Sequence, residues 1–301
     1  MWGVDLKRWL SILVLLGLVH CGGGHGSTVS PVTPPAAGLD AYVYSDVVTD
    51  AAARQTFLGF AQSKRIRRVY LQSASYMTNS RSILGDFITE AKGHGISVTL
   101  LFGRANWSLA ANQAAALQCI TQSLTLLTEL KAAGKPLPDA IQFDVEPYIL
   151  PEWTSDLQGT ANQYLDLLDA LRTQLGGQLT LTVATAFWLD NQPVTRAGQT
   201  RPMSEWILDD VDGIVMMDYR DHASAILSGA ASELAYASAH GKTVTLALDV
   251  QSGSDGTITF YEEGEAFMYQ EMATVEATAK SQASYQGFGI FNYEDWRLLK
   301  P

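Results

Sequence analysis

The chain is poor in cysteine, histidine and positive charge. Two cysteines, Cys21 and Cys119, stand among 301 residues, and the five histidines are scattered. Two cysteines build no disulfide framework, and without clustered Cys or His no transition-metal site is expected. Lys and Arg total 20 against 31 Asp and Glu, a formal net charge of −11. Extended phosphate recognition needs a basic face, so no nucleic-acid partner is expected. The one basic run, Lys64, Arg65, Arg67 and Arg68, falls between a helical pattern and a strand pattern, where a solvated turn is expected. Residues 9–19 form an apolar run too short to span a bilayer comfortably. Also missing is a glycine-rich phosphate turn after the first strand pattern, between Asp40 and Asp50, which argues against a dinucleotide-binding open sheet.

What is present at the N-terminus reads as an export signal: Lys7 and Arg8, then the short apolar run. Leu18-Val19-His20-Cys21 resembles a bacterial lipobox, with His20 where that pattern has a small residue. The resemblance implies a signal peptide over residues 1–20 and lipidation of Cys21. A flexible tether rich in Gly, Ser, Thr and Pro over 21–38 and a folded domain over 39–301 complete the expected organisation. The expected location is the bacterial cell envelope, lipid-anchored, or the outside of the cell if the segment is an ordinary secretory signal. Cys119 lies in a helical pattern, where a free cysteine is expected as a small buried hydrophobe.

Beyond the tether, apolar β-rich segments (41–44, 68–73, 97–103, 140–146, 179–187, 213–219, 243–250 and 287–293) alternate with helical patterns (51–63, 80–92, 112–133, 160–175, 203–209, 223–240 and 264–281). Eight strands alternating with helices over this length are the dimensions of a single (β/α)8 barrel. Active sites in that fold gather at the C-terminal ends of the strands. Those ends carry acids, amides and aromatics, from which candidate substrate-binding residues are Tyr44, Arg104, Trp107, Gln142, Tyr148, Trp188, Arg220, Asp221, Asp249 and Trp296. Aromatic faces stack on the apolar face of a sugar while acids and amides bond its hydroxyls, so a glycan is the expected partner.

The fourth strand pattern carries the sharpest signal. Between Asp139 and Glu146, Ile141, Phe143 and Val145 alternate with Gln142, Asp144 and Glu146. Period-two alternation puts the three polar side chains on one face. The carboxylate-bearing residues are then about two strand rises apart, roughly 6.6 Å. Acids on a strand expected to be buried are costly unless a site uses them. Two close carboxylates split their pKa values, which suits glycosidic bond cleavage; an oxygen-ligand metal site or a structural cluster are the alternatives.

Asp139-x-x-Gln142-x-Asp144-x-Glu146 resembles the D-x-x-D-x-D-x-E strand-four motif of glycoside hydrolase family 18, the chitinases and endo-N-acetylglucosaminidases. Met217-x-Tyr219 resembles that family's M-x-Y-D element, and the segment from Gly287 to Phe291, with Trp296, is loosely similar to its aromatic floor. The resemblance implies Glu146 as general acid and base, Asp144 as the residue that orients a substrate 2-acetamido group, and Tyr219 as its hydrogen-bond partner. It implies no metal and no cofactor. Gln142 replaces the inner Asp that shares a proton with Asp144 in the family, so Asp144 is expected to stay firmly ionised. Arg220 stands where the family has Asp, with Asp221 one residue on; Arg220 would suit an anionic sugar. If no acetamido group takes part, a second carboxylate must serve, with Asp218, Asp221 and Asp249 as candidates. The readings that follow are a lipid-anchored glycosidase, a non-catalytic glycan-binding barrel motivated by Gln142 and Arg220, and a Mg2+- or Ca2+-dependent hydrolase using Asp144, Glu146 and Asp249.

Overall fold

The computed structural model describes residues 34–35 and 38–301. The expected signal peptide and Cys21 lie outside the described residues, as does most of the tether. Within them, β1 (Leu39–Val43), β2 (Ile66–Gln72), β3 (Ser97–Phe102), β4 (Ala140–Phe143) and β5 (Thr180–Ala186) run parallel in chain order. After a hairpin of β6 (Pro193–Arg196) and β7 (Gln199–Pro202), β8 (Gly213–Met217), β9 (Thr243–Asp249) and β10 (Tyr285–Phe291) complete the circle, and β10 pairs with β1. The eight parallel strands form one closed (β/α)8 barrel, as the alternating pattern predicts.

The outer layer comprises α1 (Ala51–Ser63), α2 (Tyr76–Asn79), α3 (Arg81–Gly93), α4 (Gln113–Ala132), α5 (Pro151–Ser155), α6 (Leu157–Leu175), α7 (Met203–Asp210), α8 (Ala223–His240), α9 (Glu265–Ala279) and α10 (Tyr293–Trp296). Local chemistry sets their ends. Asp50 caps α1 by accepting from the amides of Ala52 and Ala53 at 2.8 and 3.0 Å. Gly176 and Gly241 close α6 and α8 in the left-handed conformation, which only glycine adopts without strain. Cys119 is buried on α4, and burial pushes its thiol up to about 11, as expected of an inert packing residue.

The β6–β7 hairpin carries no strong alternation. Its two-residue turn is Ala197-Gly198, both with positive φ, the geometry a tight hairpin demands. Trp206 of α7 donates its indole N–H to the Val194 carbonyl at 3.1 Å and fixes the hairpin to the outer layer.

Two apolar shells follow from strand parity. Ile141 and Phe143 of β4 point into the strand–helix core, with Val145 beyond the strand end. Inside the barrel, Tyr42, Tyr70, Leu101, Val215 and Ala247 pack together, with Tyr219 and Phe291 above them. Asp40, fully buried at the N-terminal end of the barrel, accepts from Arg67 at 3.0 Å, Arg68 at 3.2 Å and the Tyr70 hydroxyl at 3.0 Å. The basic run is therefore not wholly a solvated turn. Arg67 and Arg68 are β2 residues turned toward a buried carboxylate, which would be costly to leave unpaired.

Candidate active site

The chain remains extended one residue past β4, because the Asp144 amide donates to the Phe102 carbonyl at 2.8 Å. Pro147, without an N–H, then opens a single 3-10 turn, Pro147–Ile149. The strand is accordingly shorter than the 140–146 expected, but its parity holds. Gln142, Asp144 and Glu146 share the inward face at the C-terminal mouth.

Beneath the carboxylates lies a polar layer. Gln142 is fully buried with both amide atoms unpartnered, and Asp144 Oδ1, Tyr42 Oη and Thr99 Oγ1 are likewise buried without partners. The register sets Tyr42 beside Tyr70, Tyr70 beside Thr99 and Leu101 beside Gln142, so these atoms lie on adjoining strands. Each polar group left without a partner costs about 1–3 kcal/mol, which makes this cluster the candidate functional centre.

Aromatic rings flank the carboxylates on two sides. On one, Tyr42 stacks on Tyr70 at 4.6 Å, and Phe291 meets Tyr42 at 5.6 Å, Tyr44 at 5.8 Å and Tyr219 at 5.9 Å. Tyr44 is 39% exposed and forms the open lip. On the other, Tyr148, Trp153 and Trp188 pack edge to face with centroids 5.0–6.5 Å apart. The Tyr148 hydroxyl donates to Glu146 Oε2 at 2.9 Å.

Burial, and then the neighbouring Glu146 charge, push the Asp144 carboxyl well above the usual range. Burial also raises Glu146, against the lowering effect of the Tyr148 hydrogen bond. Asp144 is therefore not the firmly ionised group that loss of its Asp partner predicts. Removing a like charge at position 142 matters less than burial where no protein group donates to Oδ1. Tyr219 is raised too, by burial first and then by Asp249 and Asp144, so its phenol remains a hydrogen-bond donor.

Of the other candidates, Asp249 is buried at the end of β9 and pushed up to about 6 by burial. It accepts from the Gln251 amide at 3.0 Å and the Ser254 hydroxyl at 2.8 Å. Asp218 faces away from the lumen: Tyr219 points inward, so its neighbour points out, against Gly229 of α8. Arg220 lies over the Phe187 ring at 4.2 Å and donates to the Tyr219 carbonyl at 2.7 Å. Asp221 is buried with His222 3.9 Å away.

Three expected substrate contacts are placed elsewhere. Trp296 is buried on the outside of the barrel, edge-on to Phe60 of α1 at 5.2 Å, with its indole N–H on Glu265 of α9 at 2.9 Å. Arg104 and Trp107 line an outer cleft of about 550 Å3 against the start of α4. The Trp107 ring packs on Phe143, an outward residue of β4, and the Arg104 charge reaches the Cys119 thiol. Phe291 and Tyr42 were absent from the expected set although their inward parity was readable. Glu294 was also absent; it accepts from the amides of Tyr44 and Ser45 at 3.0 and 2.6 Å and pins the lip. Among the described residues, no three or more His, Cys, Asp or Glu side chains gather so as to hold a metal ion.

No family model matches the chain. No curated protein matches it either. Solved structures do. A GH18 chitinase from Pseudoalteromonas aurantia superposes with TM-score 0.54 at 13% identity, over 85% of this chain and 94% of that one. A plant class V chitinase mutant from Cycas revoluta, in complex with (GlcNAc)3, gives 0.54 at 14%, over 86% and 95%. A chitinase from Bacteroides thetaiotaomicron gives 0.52 at 12%, over 87% and 93%. The fold is a single (β/α)8 barrel similar to those of these three chitinases.

Proposed function

We propose that the protein is a lipid-anchored glycoside hydrolase that cleaves a glycan containing 2-acetamido sugars. The observation that carries this reading is the Asp144–Glu146 pair, inward on one strand end, raised by burial and flanked by aromatic rings. Burial raises the Glu146 carboxyl and so favours its protonated form, which can serve as a general acid. Glu146 protonates the glycosidic oxygen as its bond to the anomeric carbon breaks. The substrate's acetamido oxygen attacks that carbon, with Asp144 and Tyr219 holding the acetamido group. This is the substrate-assisted route that dispenses with an enzyme nucleophile. Water then opens the cyclic intermediate and returns its proton to Glu146. Tyr44, Phe291 and Trp188 offer ring faces for the sugars.

Product analysis over a panel of N-acetylated and non-acetylated glycans tests the reading. Cleavage of acetamido glycans, with tight inhibition by a thiazoline mimic of the intermediate, supports it. Glycan binding without cleavage would favour a lectin-like barrel. The anchor is tested separately: Cys21→Ser releases the protein from the membrane fraction or blocks its processing, and wild-type protein already free after export would contradict it.

A further inference from the structure

We propose that Tyr148 is the positioning residue for the acid: its hydroxyl occupies Oε2 of Glu146 and leaves Oε1 as the oxygen that carries the proton toward substrate. The inference rests on the reading of Glu146 as proton donor. The hydrogen bond is 2.9 Å long, and it is the one bond that the Glu146 carboxyl makes among the described residues. Its donor is unusually well fixed. Pro147 at the head of the 3-10 turn limits the backbone, and the Tyr148 ring is wedged edge-on against Trp188 at 5.0 Å and Trp153 at 6.3 Å. A donor held this way needs little reorganisation when charge develops on Glu146.

Tyr148 remains protonated, since burial first and the Glu146 and Asp144 charges next raise its phenol well above the ordinary value. A phenol has one proton to give, so with that proton on Oε2 the acid proton of Glu146 takes Oε1. The titratable groups that sense the Glu146 charge are Asp144 from the same strand end, Tyr44 beyond β1, Tyr219 beyond β8, Tyr164 from α6 and Tyr148 itself. Tyr148 is the group that opposes the upward pull of burial on Glu146, and it stabilises the carboxylate that must later act as base.

The test is a pH titration of the Glu146 carboxyl carbon by NMR in protein labelled at glutamate, assigned with Glu146→Gln. Tyr148→Phe keeps the ring and removes the hydroxyl, and the expected result is an upward shift of the Glu146 midpoint. Trp188→Leu keeps the hydroxyl but loosens its support, and gives a smaller shift in the same direction; it serves as the reporter if Tyr148→Phe does not fold. An unchanged midpoint overturns the inference. The titration needs no substrate, so it is independent of the reaction assignment. If Glu146→Gln retains hydrolysis while Tyr148→Phe still moves the titration, the tether stands and the catalytic reading falls.

Discussion

A Cβ on residue 103 would overlap the carbonyl oxygen of Asp144 and lie 2.9 Å from its carbonyl carbon. Gly103 follows the last residue of β3 and lets that strand end close directly against the backbone that carries the carboxylates. Gly103→Ala cannot be relieved by a side-chain rotation, because the obstruction is backbone. It is expected to push Asp144 and Glu146 out of register, lowering kcat/KM for glycan hydrolysis by at least tenfold and stability by about 1–3 kcal/mol. Steady-state kinetics with a thermal melt measure both.

Asp218 and Glu233 predict how stability responds to pH. Both are buried; neither Asp218 oxygen has a partner, and Glu233 has the Ser204 hydroxyl acting on it. Burial pushes Asp218 up to about 8, against the opposing Arg220 charge, and Glu233 up to about 7, with Asp190 adding to the rise. The native state therefore binds more protons than the unfolded chain, whose carboxyls titrate near ~4. This stabilisation is complete below that range and is lost as pH rises through about 7–8. Tm should fall between pH 6 and pH 9, and Asp218→Asn with Glu233→Gln should flatten the fall. An undiminished fall in the double variant would place its cause elsewhere.

Trp188 and Trp296 should part company when substituted. Trp296→Phe loses a hydrogen bond to Glu265 and packing on Phe60, a cost of about 1–2 kcal/mol, with kcat/KM unchanged. Trp188→Ala, at the half-buried wall beside Tyr148, should cut kcat/KM severalfold at smaller cost in stability. The reverse pattern in melts and kinetics would misplace both rings.

The barrel and the carboxylate pair were legible because they rest on parity and alternation. Ile141, Phe143 and Val145 against Gln142, Asp144 and Glu146 fix a strand and its two faces. The same parity read across Met217, Asp218 and Tyr219 separates Asp218 from the lumen, although residue type alone groups it with the other acids. Trp296 was not legible as an outer residue, because α10 begins right after β10 and turns the chain away from the mouth. Arg104 and Trp107 were misplaced for a similar reason: past β3 the chain enters a 3-10 turn, Ala105–Ser108, and Trp107 packs on the outward Phe143 while Arg104 faces the start of α4. Ionisation of Asp144 depends on burial by residues from elsewhere in the barrel, which no local pattern contains.

The central claim is that Glu146 is the acid–base group of a glycosidase, and Glu146→Gln tests it most directly. The amide preserves shape and can still accept from Tyr148, so Tm should stay within a few degrees of wild type. Hydrolysis of a glycan that the wild-type protein cleaves should fall by ~10²–10⁴-fold, the range that general acid–base assistance contributes. Near-wild-type turnover in a folded Glu146→Gln variant would contradict the account.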